Sequence, residues 1–150
     1  MVDKPDTCKG CPLYGDGRGF VPGFFVEGAE LLIVGQNPGE QEEKAGVPLV
    51  GATGTMLNKD YLPLTGVDID RVAKDNAIRC RWHKPGDRKK GNELPKGKML
   101  DEAIECCRQY DYVPDTVRLI MCMGVVALAK FNPQLKQFEW RGHLLPHEGE

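Results

Sequence analysis

The chain has 150 residues, 41% of them apolar and 28% charged, with a formal net charge of −2. That is enough for one domain with a real core, and the composition is ordinary for a soluble globular protein, which excludes a low-complexity or disordered chain. No apolar run approaches the length of a membrane span, and the N-terminus has no export pattern, so the expected location is the cytoplasm, with no membrane partner. Six cysteines in such a chain point to metal or redox chemistry more than to disulfides.

The charge is unevenly spread. From Arg79 to Lys98 eight basic residues face two acidic ones, a local +6 on a body of −8. A basic run by itself usually marks a solvated loop. If this one has a partner, it suits a local phosphate contact, with Arg81, Lys84 and Arg88 as candidates.

In chain order, residues 1–28 hold Cys8-Lys9-Gly10-Cys11-Pro12 and then several glycines, too little for regular structure. Such an arm needs something other than a core to order it, and a metal site would serve. Phe20, Phe24, Phe25 and Val26 could tuck it against the domain. Ala29 to Val34 reads as a buried strand, because its apolar run is too short for a helix and is closed by Gly35. The following Gly35-Gln36-Asn37-Pro38-Gly39 fits only a tight turn, where Pro38 fixes its own φ and Gly39 permits a positive one. Polar amides at such a strand exit stand where open α/β sheets bind ligands.

A long glycine-rich loop follows, then a short helix expected over Thr53 to Leu62 with Thr53 as its cap and Pro63 beyond its end. A second strand is expected at about Val72 to Arg79 and a helix over Lys98 to Tyr110. A third strand is expected over Thr116 to Met123, and a helix from Val125 to Phe131 stopped by Asn132-Pro133. Alternating strands and helices predict an α/β fold: one domain over 1–150, with a central, mostly parallel sheet flanked by helices on both faces.

Four ligands close a tetrahedral or cubane site. Cys8, Cys11, Cys80 and one of Cys106 and Cys107 would supply them, while Cys122 has apolar neighbours and reads as core. All-thiolate ligation suits zinc or an iron–sulfur cluster equally well on these residues alone.

These residues resemble the iron–sulfur uracil-DNA glycosylases, family 4 of the uracil-DNA glycosylase superfamily. The likeness begins at Cys8 to Leu13, is strongest over Val34 to Leu57 (VGQNPGEQEEKAGVPLVGATGTML), and continues at Asn76-Ala77-Ile78-Arg79-Cys80-Arg81 and at Leu119 to Gly124. It implies an enzyme that flips uracil out of DNA and hydrolyses the N-glycosidic bond. Asn76 matches the residue that reads uracil, Leu49 stands where a phenylalanine stacks on the base, and Gln36 and Asn37 fall at the catalytic turn between Gly35 and Gly39. The implied cofactor is a [4Fe–4S] cluster on Cys8, Cys11, Cys80 and Cys107, with zinc as the alternative. Cys107 is preferred over Cys106 because Cys107-Arg108-Gln109-Tyr110 fits the family's Cys-x-x-Tyr. The implied partner is uracil-containing DNA, bound by a monomer or by part of a larger polypeptide.

The departures are specific. Gln36 replaces a glutamate, Leu49 replaces a phenylalanine, and the family's histidine-bearing loop has no counterpart, since neither His143 nor His147 is followed by Pro-Ser. A rival expectation follows: a non-catalytic iron–sulfur DNA-binding domain of a larger replication or repair protein.

Overall fold

The computed structural model describes residues 3–16, 19–82, 93–135, 139 and 141–143. The strand β1 (Leu31–Gly35) lies at the centre of a three-stranded sheet. It is paired in parallel with β2 (Val72–Asn76) on one side and β3 (Leu119–Cys122) on the other. The register sets Leu31 opposite both Val72 and Leu119, and Gly35 opposite Asn76. Both neighbours of β1 follow it in sequence, so the chain reverses its winding direction at β1. That is the switch point at whose carboxyl end open α/β sheets place ligands.

Every residue of β1 is buried because both faces of the strand are covered. Leu31 and Ile33 pack with Leu49, Leu57, Leu62 and Val72, beneath α3 (Ala52–Met56) and α4 (Leu62–Thr65). Leu32 and Val34 face the other way, onto Ala73 and onto Ala127 of α6 (Val125–Phe131). A third cluster joins Leu13 of α1 (Leu13–Asp16) to Ile78, Trp82 and the Ala103, Ile104 and Cys107 face of α5 (Lys98–Arg108). Each fully buried aliphatic side chain contributes about 1.5–3 kcal/mol.

β3 is shorter than expected at both ends and β2 at its C-terminal end, while β1 starts two residues later than expected and ends one residue further on, at Gly35. Beyond Asn76 the N–H groups of Ala77 and Ile78 still donate to Gly35 and Gln36, 2.9 Å each, but here they hold a turn and not a ladder. The helix expected from Thr53 begins one residue earlier, capped by Gly51, and Thr53 makes no capping bond. It passes Pro63 through a wide π-type turn over Leu57–Tyr61, so that proline falls in the first turn of α4, where its missing N–H costs nothing.

The N-terminal arm runs antiparallel beside β2. Phe24 and Lys74 exchange both backbone hydrogen bonds (2.7 and 2.8 Å), Val21 N–H donates to Arg79 O at 2.8 Å, and Phe20 lies opposite Cys80. This covers the outer edge of the sheet. Phe20 is buried edge-on against Tyr110, and Phe25 meets Tyr112 in the same way. Phe24 departs from the expected tucking: its side chain is exposed, and it secures the arm through its backbone. Among the described residues no helix is long and apolar enough to cross a membrane.

Candidate functional site

At the carboxyl ends of the strands lies a pocket of about 220 Å³, room for about seven waters at roughly 30 Å³ each. Gly35, Gln36, Asn37, Gly39, Leu49 and Asn76 all line it, so the structure brings together every base-pocket residue named from the sequence. Glu42, Thr53 and Met123 complete the wall.

Asn76 ends β2 beside Gly35. It is 2% exposed, and its amide Nδ2 has no hydrogen-bond partner, although a buried amide ordinarily finds one. A Cβ on Gly35 would come within 2.5 Å of Asn76 Oδ1, so the glycine leaves the space the amide occupies. Gln36 rests against the turn into α6, where a side chain on Gly124 (φ 102°) would meet its Nε2 at 2.5 Å. Asn37 Nδ2 donates to Glu93 O at 3.1 Å, which fixes the turn from the far side.

Gly39 does not take the positive φ expected of it. Its φ is −88° with extended ψ, and it caps α2 (Glu40–Ala45). What matters at this position is its N–H, which donates to Glu42 Oε2 at 3.0 Å. Glu42 Oε1 accepts from Gly51 N–H at 2.6 Å, so one buried carboxylate closes the loop between the turn and α3. Leu49 lies inside that loop at φ 55°, a left-handed conformation rare for leucine. It persists because the surroundings fix it. The side chain is buried among Leu31, Ile33 and Leu57, and its carbonyl lies so close to Gly54 that a Cβ there would come within 1.8 Å.

A second, narrow cavity gathers the cysteines. Cys8, Cys11, Cys80, Cys106 and Cys107 line it with Lys4, Leu13, Tyr14 and Ile78. Burial pushes the Cys80 thiol up to about 12 and the Cys107 thiol up to about 11, with the neighbouring thiols adding to both. Burial likewise raises Cys11. Tyr110 OH is 3.1 Å from Cys8 Sγ. Two cations act against the rise of these thiols, Lys4 on Cys80 and Arg79 on Cys107. Among the described residues no three Cys, His, Asp or Glu side chains converge tightly enough for a single ion. All six cysteines are free thiols, and Cys122 lies apart in β3, partly buried, as expected of a core residue.

The basic residues fare differently. Arg81 was expected at DNA phosphate, but it is buried. Its Nη1 lies 3.2 Å from Glu43 Oε2 and its Nη2 3.8 Å from Glu40 Oε2. Its charge is spent inside the protein, because Glu43 needs a buried counter-ion. Lys84 and Arg88 lie outside the described residues. Glu43 also accepts from Gly19 N–H at 3.1 Å, which ties the arm to α2. Behind it, Asp75 holds Arg79 through two bonds (2.9 and 2.7 Å) and Lys130 at 3.3 Å, a buried structural network. Glu42 and Glu43 were missed in the sequence, where acids in a first helical turn look solvated. The only local signal was a carboxylate three residues after a glycine cap.

The family model for the uracil DNA glycosylase superfamily matches residues 22–148. The chain belongs to the uracil-DNA glycosylase superfamily. Superfamily relatives include three type-4 uracil-DNA glycosylases. That of Sulfurisphaera tokodaii is 39% identical over 99 residues, covering 66% of this chain and 45% of the relative. That of Archaeoglobus fulgidus is 30% identical over 134 residues, covering 89% and 60%. That of Thermotoga maritima is 34% identical over 131 residues, covering 87% and 64%. The chain thus spans roughly half to two thirds of the length of these superfamily members.

Proposed function

We propose that this chain is a uracil-DNA glycosylase domain that hydrolyses the N-glycosidic bond of flipped-out uracil in DNA, as the names of its relatives suggest. The observation that carries the reading is the buried, unpartnered amide of Asn76 at the floor of a pocket at the sheet's switch point. An amide presents a donor and an acceptor side by side, as the imide edge of uracil requires. Leu49 forms the apolar wall against which the base would pack.

In the reaction the C1′–N1 bond breaks with its electron pair going to uracil, and water adds its oxygen to C1′ and loses a proton. The amides of Gln36 and Asn37 orient the water and stabilise the leaving anion by donating hydrogen bonds. Neither amide can take the proton, and both oxygens of Glu42, the one carboxylate among the described lining residues, already accept from Gly39 and Gly51 N–H, so the proton passes through solvent to the departed uracil anion.

Cys8, Cys11, Cys80 and Cys107 would hold a [4Fe–4S] cluster, a reading supported by the shared cavity and by the relatives' type-4 name. Bound there, it would supply cationic iron that keeps the thiolates charged and would tie the arm, the stretch after β2 and α5 together. The chain would work in the reducing cytoplasm, where thiols stay free.

The test is excision from a uracil-containing oligonucleotide by the reconstituted protein and by Asn76→Ala. Abasic sites from the parent and a loss of about 10²-fold or more in the variant are expected. Equal excision by the variant would remove Asn76 from the pocket's chemistry. The non-catalytic reading is favoured by one observation: Gln36, an amide that cannot take a proton, lines the pocket where the family has a glutamate. Binding of uracil-containing DNA by the parent without any alkali-labile product would select it.

A further inference from the structure

Tyr110 stands just past the end of α5, and its hydroxyl reaches across to the N-terminal arm. The phenol oxygen lies 3.1 Å from Cys8 Sγ and is also hydrogen-bonded to Thr7 Oγ1. Both the backbone and the ring of Tyr110 are held. Its N–H donates to Cys107 O at 3.0 Å, and its carbonyl accepts from Arg79 Nη2 at 2.6 Å. The Arg79 guanidinium lies 5.4 Å from the ring centroid, and Asp75 fixes that guanidinium through two further bonds. Phe20 meets the ring edge-on at 5.1 Å. The hydroxyl is thus aimed at Cys8 by contacts from β2, from the stretch after it and from the arm.

We infer that Tyr110 tunes the reduction potential of the cluster, by donating its phenol hydrogen to the sulfur of Cys8. The inference rests on the cluster reading above. The donor set of the cavity suits that reading: among the described lining residues there are five thiols, with no carboxylate and no imidazole. A ligating cysteine is a thiolate and carries no hydrogen, so the phenol must be the donor to Cys8. The phenol has one hydrogen, so the Thr7 hydroxyl must donate to the phenol oxygen. Ligation therefore fixes the direction of the chain from Thr7 through Tyr110 to Cys8, and each bond polarises the next. A hydrogen bond to a ligand sulfur draws off negative charge, favours the electron-rich state of the cluster and raises its potential. Tyr110 acts here through Cys8, as a positioning residue that does not itself touch iron.

The experiment is anaerobic reconstitution of the parent, Tyr110→Phe and Thr7→Val. Iron and sulfide are counted on each, the potential is measured by redox titration of the visible spectrum, and resonance Raman reads the iron–thiolate stretching bands. Tyr110→Phe keeps the ring that Phe20 and Arg79 hold and removes the hydroxyl alone. It is expected to keep the parent's iron content, to lower the potential and to move an iron–thiolate band to higher frequency, as Cys8 regains its charge. Thr7→Val is expected to shift both the same way and by less. A merely structural role would lower iron content or melting temperature and leave the potential of the remaining clusters alone. Tyr110→Phe clusters with the parent's potential and bands would overturn the inference. If Tyr110→Phe takes up no cluster, Thr7→Val decides: a lowered potential supports the inference and the parent's potential overturns it. A parent that takes up no iron and sulfide overturns the cluster reading itself, and this shows before any variant is made.

Discussion

Glu42→Ala removes the carboxylate that joins Gly39 N–H at 3.0 Å to Gly51 N–H at 2.6 Å. Two backbone donors lose their acceptor, at about 1–3 kcal/mol each where nothing replaces it. Glu42 lines an open pocket, so water can reach part of the gap, and the expected total is about 2–3 kcal/mol. For a chain of this length each kcal/mol moves the melting temperature by roughly 2–4 °C, so a fall of about 5–10 °C is expected. Glu42→Gln keeps one acceptor oxygen but turns an N–H toward the other donor, and about half that fall is expected. Thermal melting by circular dichroism measures the sum. Hydrogen exchange at the Gly51 amide localises it, since this proton should exchange faster in both variants. A Glu42→Ala protein that melts with the parent, with Gly51 still protected, would refute the claim that this carboxylate closes the loop.

Three further outcomes are expected. Gly35→Ala places a methyl 2.5 Å from Asn76 Oδ1. The amide should swing aside, cutting kcat/KM for uracil excision by about 10²-fold with little change in melting temperature. Arg81→Met strands Glu43 in the interior and should cost about 3–5 kcal/mol in urea unfolding. The salt dependence of DNA binding should stay as it was, since Arg81 is buried in an ion pair. In the cluster-free protein, burial raises Cys80 to about 12 and Cys107 to about 11 from an ordinary 9.0. The fold holds these protons more tightly than the unfolded chain does. This stabilisation is complete below pH 9 and is lost as pH rises through the folded values. The urea midpoint should therefore fall as pH rises from about 9 to about 12, and reconstitution should abolish that dependence.

The pocket at the strand ends was legible because its parts are local. A strand, a Gly-Gln-Asn-Pro-Gly turn and an amide at the end of a second strand each announce themselves within a few residues, and a parallel sheet must bring strand ends together. The thiol cavity was legible as a set but not in its order. Spacing places Cys106 and Cys107 side by side, whereas depth depends on how α5 rolls against Ile78 and Leu13. The roles of Glu42, Glu43 and Arg81 were hidden for a common reason. A charged side chain advertises solvent, and only the fold shows that Gly19, Gly51 and a guanidinium wait for these carboxylates inside. The left-handed φ of Leu49 had no signal of its own, since leucine is a poor choice for it and the constraint comes from Gly54 five residues on.

The pairing of the arm with β2 has a consequence for handling the protein. Residues 20–24 occupy the hydrogen-bonding edge that β2 would otherwise present to solvent, and an open edge of that kind recruits strands from other molecules. Buried Leu13, Phe20 and Val21 anchor the arm, and two further residues of it, Cys8 and Cys11, reach into the thiol cavity. A chain stripped of whatever holds those thiols would loosen its own edge guard. The first sign of a lost cofactor would then be turbidity, ahead of any change in catalysis.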